Sequence, residues 1–218
     1  MQPNATGTFA DLAAQLADIG RHCYARGWAP GTSGNFSAVV SRRPLRLAIS
    51  RSGVDKGRLT AGDIVEIDEG GTVVGGSGKP SAEASLHLTI ARARGTGAVL
   101  HTHSIWSTIL SDCATDGGEG AGAGLAIEGY EMLKGLEGVH THEHREWLPI
   151  LDNMQDWAAA VPRVEAMLRQ NPRGHGFLLR HHGLYTWGRD LAEAKRHVEI
   201  LEFLLEVMGR KRGMTWQP

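Results

Sequence analysis

The stretch Val99-Leu100-His101-Thr102-His103-Ser104 ends an apolar run in two imidazoles that are one residue apart. If residues 98–100 lie in a strand, its period of two directs the side chains of His101 and His103 to the same face. Two neutral imidazoles on one face can bind one divalent cation, but they cannot complete its coordination shell. A third ligand must come from elsewhere in the chain. His182 is the best candidate, because it also ends an apolar run. Two such strands ending side by side would bring the three rings together.

A histidine at the end of a strand is more often a packed or solvated side chain than a metal ligand. The pair His101 and His103 alone would therefore be about as consistent with a structural role as with a metal site. The second strand-end histidine, His182, and an upstream carboxylate, Glu83, favour the metal site. The sequence thus predicts a metal site built from three histidines and a nearby carboxylate, rather than an isolated pair of histidines.

The composition limits the class of protein. A chain of 218 residues that is 41% hydrophobic and 22% charged can bury a full core, and we expect a single domain over residues 1–218. The formal net charge is −1, so we expect no partner of the nucleic-acid or anionic-membrane class. Cys23 and Cys113 form no disulfide pattern, and no leader or apolar membrane span is evident. These features predict a cytoplasmic protein.

Periodicity predicts alternating helices and strands. Apolar residues at helical spacing follow Thr8, a plausible N-cap, up to about residue 26. The next segments form an antiparallel meander, because short β-rich runs flank turn residues. Predicted strands cover residues 36–40, 45–49, 64–68, 72–74 and 148–151, and further helices cover 80–94, 104–111, 156–169 and 191–208. The helix over 156–169 is expected to be interrupted at Pro162.

Two loops of small residues could hold a phosphate group. Residues 31–35 and 50–53 combine glycine with Ser, Thr or Asn, so backbone N–H groups and side-chain donors can approach an anion. Neither loop matches a known nucleotide-binding motif, and taken alone each is more typical of an ordinary turn.

Two glutamates are candidate acid/base groups. Glu83 falls in the first turn of a helix that we expect Ser81 to cap, where a carboxylate also complements the helix dipole. Glu131 precedes Lys134 by three residues, which on composition alone is a surface ion pair. A structural role therefore competes with a chemical role at both positions.

A second histidine cluster repeats the HxH spacing. His140, His142 and His144 alternate along the chain, but no further histidine or cysteine is an obvious partner for them. We therefore rank this cluster below the first one and expect its side chains to contact substrate or solvent.

These residues carry a family resemblance. The order and spacing of five motifs resemble the class II aldolase/adducin superfamily from about residue 8 to residue 210. The motifs are Gly34-Asn35-Phe36-Ser37, Ser52-Gly53, Lys79-Pro80-Ser81-Ala82-Glu83, His101-Thr102-His103-Ser104 and His182-Gly183-Leu184. Three further features favour the sugar-phosphate dehydratases within it: Glu131-Met132-Leu133-Lys134-Gly135, Leu148-Pro149-Ile150 with Asn153, and residues 180–188.

The resemblance implies an α/β fold of class II aldolase type, with a central, mostly antiparallel sheet flanked by helices on both faces in three layers. It also implies a homotetramer whose active sites lie near subunit boundaries. His101, His103 and His182 match the ligands of one zinc ion per subunit. The implied substrate is a small sugar phosphate.

The resemblance also suggests roles for the polar loop residues. Asn35, Ser52, Gly53 and Ser81 match positions that bind the substrate phosphate, whereas Ala82 replaces a serine common in the aldolases. Glu83 matches the acid/base carboxylate of the aldolases, and Glu131 matches the glutamate that the dehydratases use. Because both glutamates are present, the assignment of proton donor and base stays open.

The implied reaction is a zinc-dependent dehydration. A base removes the C3 proton of a ketose phosphate, the C4 hydroxyl leaves as water with a proton from Glu131, and the enol becomes a 2,3-diketone. A sugar-phosphate aldolase or epimerase is the alternative activity. A non-catalytic adducin-like scaffold would not need His101, His103 and His182, and a zinc hydrolase would not need the phosphate loops.

Overall fold

The fold is built on one ten-stranded sheet. The computed structural model describes residues 7–117 and 122–213. The strands are β1 Asn35–Arg42, β2 Leu45–Ser50, β3 Ile64–Ile67, β4 Val73–Gly75, β5 Ala98–Thr102, β6 Thr115–Asp116, β7 Ala123–Glu128, β8 Arg145–Leu151, β9 Gly176–Leu179 and β10 Gly183–Gly188. Their order across the sheet is β4-β3-β2-β1-β5-β10-β9-β8-β7-β6. Among the described strands every neighbouring pair is antiparallel except β8 and β9.

Helices cover both faces of the sheet. They are α1 Phe9–Ala25, α2 Ala84–Arg94, α3 Ile105–Leu110, α4 Trp157–Gln170 and α5 Leu191–Gly213, with short 3-10 helices at Lys56–Arg58, Ala61–Asp63 and Glu131–Gly135. On β5, Leu100 packs in a core with α1 and α5, whereas Val99 packs in a core with α2 and α4. On β10, Leu184 and Tyr185 alternate in the same way. The predicted three-layer α/β architecture is confirmed.

The first helix begins where the sequence predicts. The Thr8 hydroxyl accepts a hydrogen bond from the Asp11 backbone N–H, and the Asp11 carboxylate accepts one from the Thr8 backbone N–H. This capping box satisfies two backbone donors that the helix itself cannot pair. None of the helices in the described part of the chain is both long and apolar enough to span a bilayer.

Two helix predictions need correction. α2 begins at Ala84 rather than near Pro80, so Ser81 is not its N-cap. The Ser81 hydroxyl instead accepts a hydrogen bond from the Glu83 N–H at 3.3 Å, which keeps this segment in a turn. α4 runs through Pro162 without a break. Proline removes one hydrogen bond there, and burial of the apolar face of α4 offsets that loss.

A buried ion pair joins β8 to the segment before β9. Glu146 Oε1 accepts a hydrogen bond from the His175 backbone N–H at 2.9 Å, and Oε2 accepts from His175 Nδ1 at 3.0 Å. His175 Nε2 donates to the Glu137 carbonyl at 2.9 Å. Because both ring nitrogens face acceptors, these contacts favour the protonated, cationic ring. Burial alone would lower the pKa of His175, but the Glu146 carboxylate and the Glu137 carbonyl raise it.

The pKa of the carboxylate partner, Glu146, shifts in the opposite direction. Burial would raise the pKa of Glu146, but hydrogen bonds and charge from His175, with a further bond from His144, lower it. The Glu146 contribution to stability is thus present above about pH 4.3 and is lost as the pH falls through the lowered pKa. The His175 contribution is present below about pH 6.5 and is lost as the pH rises through the raised pKa.

We expect Glu146→Gln to lower the free energy of unfolding by about 3 kcal/mol at pH 6, because it leaves the buried His175 cation unpaired. The difference between wild type and variant should shrink at pH 9, because the contribution of His175 is lost as the pH rises through its raised pKa. Urea unfolding at both pH values measures it. Glu128→Gln is the control, because Glu128 pairs with Arg145 on the surface and should cost less than about 1 kcal/mol. An equal loss in the two variants would contradict this account.

Candidate metal centre

The three predicted histidines meet at one end of the central strands. His101 lies on β5, opposite Asn35 of β1 and Tyr185 of β10. His103 follows β5 directly, where its backbone N–H donates to the Trp28 carbonyl at 2.6 Å. His182 lies in the turn between β9 and β10 rather than on a strand. The sheet therefore supplies two ligands from the β5 end and one from the neighbouring turn.

Close backbone packing fixes the position of that turn. A Cβ atom on Gly183 would collide with the Thr102 carbonyl oxygen, so a larger residue would push β10 away from β5. The preceding residue, His181, has φ +53°, and its N–H donates to the Ser111 hydroxyl at 2.8 Å. These contacts hold the His182 ring against the end of β5.

The Nε2 atoms of the three rings converge. They are 2.8 Å apart for His101 and His103, 3.1 Å for His103 and His182, and 3.3 Å for His101 and His182. His101 Nδ1 donates to the Leu184 carbonyl at 3.0 Å, and His182 Nδ1 donates to the Asn153 side-chain oxygen at 3.1 Å. In the neutral rings these bonds leave both Nε2 atoms as bare lone pairs.

Facing lone pairs repel each other unless a cation lies between them, so this donor set fits a divalent metal. Zinc–nitrogen bonds of about 2.0–2.1 Å in a tetrahedron place neighbouring nitrogens about 3.3 Å apart, close to the observed spacing. Burial lowers the pKa of His101 to about 4 and that of His103 to about 3. Both rings are therefore neutral near pH 7, as metal ligands must be.

Glu83 completes the cluster. Its Oε2 atom lies 3.3 Å from His101 Nε2, and its Oε1 atom lies 3.2 Å from His182 Nε2. Its carboxylate can therefore serve as a fourth metal ligand or as a base beside the metal. Although Glu83 occupies the N-cap position of α2, its side chain makes no capping hydrogen bond. Its chemical neighbours are the histidines rather than the helix.

Buried donors hold the Glu83 carboxylate in place. Asn35 Nδ2 donates to Oε2 at 2.8 Å, and the Tyr185 hydroxyl donates to the same oxygen at 2.7 Å. Behind them, His87 contacts Asn35 Oδ1 at 2.5 Å and the Ser37 hydroxyl at 2.7 Å. Burial would raise the pKa of Glu83, but the adjacent His101 and these hydrogen bonds lower it. The carboxyl group is thus ionised.

The predicted phosphate residues share one cleft with this cluster. The cleft has a volume of about 290 Å³. Its walls include the predicted residues Asn35, Ser52, Gly53 and Ser81, together with Glu83, His103 and His182. A larger cleft of about 810 Å³, lined by His175 and Trp187 among others, does not include the three histidines. The smaller cleft is therefore the candidate active site.

Glu131 lies outside this cleft in the single chain. It begins an exposed 3-10 helix and pairs with Lys134, while His142 Nδ1 is 4.0 Å from its carboxylate. His140 is also exposed, and His144 binds Glu146 as described above. One chain therefore brings together the three histidines, Glu83 and the loop residues, but not Glu131.

Several functional neighbours were not assigned from the sequence. Asn153 orients His182, and Tyr185 binds Glu83 while its ring stacks on His101 with centroids 4.0 Å apart. Alternation along β10 predicts burial of Tyr185 but not its hydroxyl partner. Trp157, which begins α4, and Gln155 also line the cleft. No local motif marks a residue that reaches the site only through tertiary packing.

Comparisons with known proteins identify the family and agree with the fold. The Class II Aldolase and Adducin N-terminal domain matches residues 14–208. A methylthioribulose-1-phosphate dehydratase of Marinobacter nauticus is 42% identical, with 91% of this chain and 92% of the relative aligned. A methylthioribulose-1-phosphate dehydratase of Sorangium cellulosum is also 42% identical, with 95% of this chain and 96% of the relative aligned. The structure of l-fuculose-1-phosphate aldolase from Thermus thermophilus superposes with a TM-score of 0.73 at 25% identity, over 94% of this chain and 97% of that one.

We expect His103→Ala to weaken zinc binding by at least about 100-fold, because loss of an outer-sphere partner alone costs roughly 10–100-fold. Zinc content after dialysis against a competing chelator measures the change. His142→Ala is the matched control, since His142 is an exposed histidine outside the cluster. Retention of about one zinc per chain in His103→Ala, or its loss in His142→Ala, would contradict the assignment.

Proposed function

Because this chain belongs to the class II aldolase and adducin family, we propose that it dehydrates 5-methylthioribulose 1-phosphate to 2,3-diketo-5-methylthiopentyl 1-phosphate, a step of methionine salvage. It is then a carbon–oxygen lyase. The observation that carries the proposal is the 42% identity, over more than nine tenths of the chain, to dehydratases that act on this substrate. The cleft agrees with it, because the cleft combines a metal-type histidine set, an ionised carboxylate and small-residue loops suited to a phosphate.

The three histidines would hold one zinc ion per subunit, which supplies Lewis-acid stabilisation of the negative charge that develops on the ketose oxygens. Glu83 is the base in this scheme: its carboxylate is ionised, buried and adjacent to the three imidazoles. It takes the C3 proton and returns it to C4 when the enol becomes the diketone. The donors Asn35 and Tyr185 keep the carboxylate aimed during both transfers.

Glu131 is the acid in this scheme and protonates the C4 hydroxyl as it leaves. In the single chain it is exposed, and its ion pair with Lys134 lowers the pKa of its carboxyl. A carboxyl group in that state is a poor proton donor at pH 7. Burial against a neighbouring subunit would raise its pKa. We therefore infer that Glu131 acts across a subunit boundary and recovers its proton from the enol hydroxyl or from solvent.

Exposed apolar side chains support a subunit boundary near the site. Ile105 and Ile109 are 69% and 50% exposed on α3, which begins two residues after His103. Phe203 on α5 and Met132 beside Glu131 are also exposed. α5 contacts both α3 and the 3-10 helix that carries Glu131, so these side chains lie on adjoining elements. Exposed apolar side chains grouped on adjoining elements are typical of an interface, and we propose the homotetramer of the family.

The remaining assignments follow from the same scheme. Asn35, Ser52, Gly53 and Ser81 are proposed to bind the substrate phosphate at the loop end of the cleft. The continuous sheet suits a single domain over residues 1–218.

Cys23 and Cys113 are both free, which fits a reducing compartment, and we propose the cytoplasm.

The activity assay is direct. The purified protein is incubated with 5-methylthioribulose 1-phosphate, and the diketone is followed by mass spectrometry as loss of one water. We expect turnover that a chelator abolishes and added zinc restores. Retro-aldol cleavage of fuculose 1-phosphate without any dehydration would instead assign the protein to the sugar-phosphate aldolases. Turnover that survives complete metal removal would contradict the metal-dependent scheme.

We expect Glu131→Gln to lower kcat by roughly two to four orders of magnitude, the usual contribution of a proton-transfer group, while zinc stays near one per chain. Glu143→Gln is the control, because Glu143 is a nearby exposed glutamate. Steady-state kinetics together with metal analysis separates the two variants. Wild-type turnover in Glu131→Gln would eliminate its role as the acid, and Glu83→Gln then tests whether Glu83 alone moves protons.

A further inference from the structure

A buried lysine borders the proposed phosphate loops. Lys56 begins the 3-10 helix Lys56–Arg58 and is only 1% exposed. Its Nζ atom donates to the Thr32 carbonyl at 2.9 Å and to the Val54 carbonyl at 3.0 Å. An ammonium group has three N–H donors, so one of them is left over. Lys56 lines the 290 Å³ cleft together with the proposed phosphate residues and His103.

The Lys56 charge lacks a close counter-ion. None of the salt bridges in the described part of the chain, drawn to a limit of 4.0 Å between nitrogen and oxygen, involves its Nζ atom. The neighbouring Asp55 carboxylate accepts the Gly57 N–H at 2.8 Å instead. Burial lowers the pKa of Lys56 to about 8, partly opposed by the charge of Asp55. A buried cation without an anion is costly, so an anionic ligand would stabilise this arrangement.

The other cation on the cleft wall is already neutralised. Arg51 Nη2 lies 2.6 Å from Asp63 Oδ1 in a salt bridge. Asp63 is itself held by the Thr60 N–H at 2.9 Å, so this pair is part of a fixed turn. Lys56 is therefore the cation on this wall that is available to pair with an anionic ligand.

We propose that Lys56 binds the phosphate group of the substrate through its third N–H, at the end of the cleft formed by Ser52, Gly53 and Ser81. The ligand class is a phosphate monoester dianion, and the identification of the substrate rests on the proposed function. Lysine binds phosphate as a point charge, and the two carbonyls fix the ammonium group before the ligand arrives. The phosphate thereby anchors the ketose with its reacting carbons toward His103 and Glu83.

The test compares Lys56→Met with Arg58→Met. Arg58 is an exposed cation two residues away that does not line the cleft. Binding of inorganic phosphate is measured by calorimetry, and kcat and KM are measured with 5-methylthioribulose 1-phosphate. We expect Lys56→Met to weaken phosphate binding and raise KM by about 10–100-fold, the usual strength of a hydrogen bond to a charged group. We expect kcat to change less than about threefold, and Arg58→Met to match wild type.

The two readouts separate the possible failures. A purely structural Lys56 would lower the melting temperature and kcat of Lys56→Met but leave its phosphate affinity unchanged, and this result would overturn the proposal. If phosphate binding depends on Lys56 while no dehydration occurs in wild type, the proposed function fails and the phosphate site stands. If dehydration occurs and KM is unchanged in Lys56→Met, the phosphate assignment fails alone.

A second measurement uses wild type only, so it tests the proposal even if the Lys56→Met variant does not fold. Wild type is treated with acetic anhydride with and without inorganic phosphate, and acetylation is quantified by peptide mass spectrometry. We expect phosphate to protect Lys56 several-fold while the exposed Lys211 reacts equally in both samples. Equal acetylation of Lys56 in both samples would overturn the proposal.

Discussion

The pairing of β5 with β10 is the constraint on which the site depends. Its register sets Tyr185 opposite His101, so that the tyrosine ring stacks on the imidazole and its hydroxyl reaches Glu83. The close approach of Gly183 to the Thr102 backbone then brings His182 to the end of β5. A shift of one residue would turn the rings to the opposite face of the sheet. One strand pair thus fixes both the metal ligands and the carboxylate beside them.

The polar groups that line the cleft fall into two chemically different sets. In the first set, the three imidazoles converge on a common point and Glu83 remains ionised next to them. In the second set, the Lys56 ammonium is held by two backbone carbonyls, and no carboxylate among the described residues forms a salt bridge with it. The proposed substrate, a phosphorylated ketose, has matching groups, because it carries carbonyl and hydroxyl oxygens at one end and a phosphate dianion at the other.

The sequence predicts those parts of the fold and the site that depend on local periodicity. Alternation along residues 98–104 aims His101 and His103 at one face, and α1 begins after its N-cap Thr8 as expected. The predicted start of α2 was wrong, because the turn held by the Ser81–Glu83 hydrogen bond depends on packing that no local pattern encodes. Lys56 follows an aspartate, which is typical of a solvated pair, so nothing local predicts its burial. Glu131 stays a prediction, because a single chain leaves it on the surface.

The central claim is that His101, His103 and His182 hold one metal ion next to Glu83. X-ray diffraction at the zinc absorption edge, from crystals grown with zinc, tests it most directly. The account predicts one anomalous peak per chain, about 2.0–2.1 Å from the Nε2 atom of each of the three rings. A peak on His140, His142 or His144 with none among the three converging rings would contradict it.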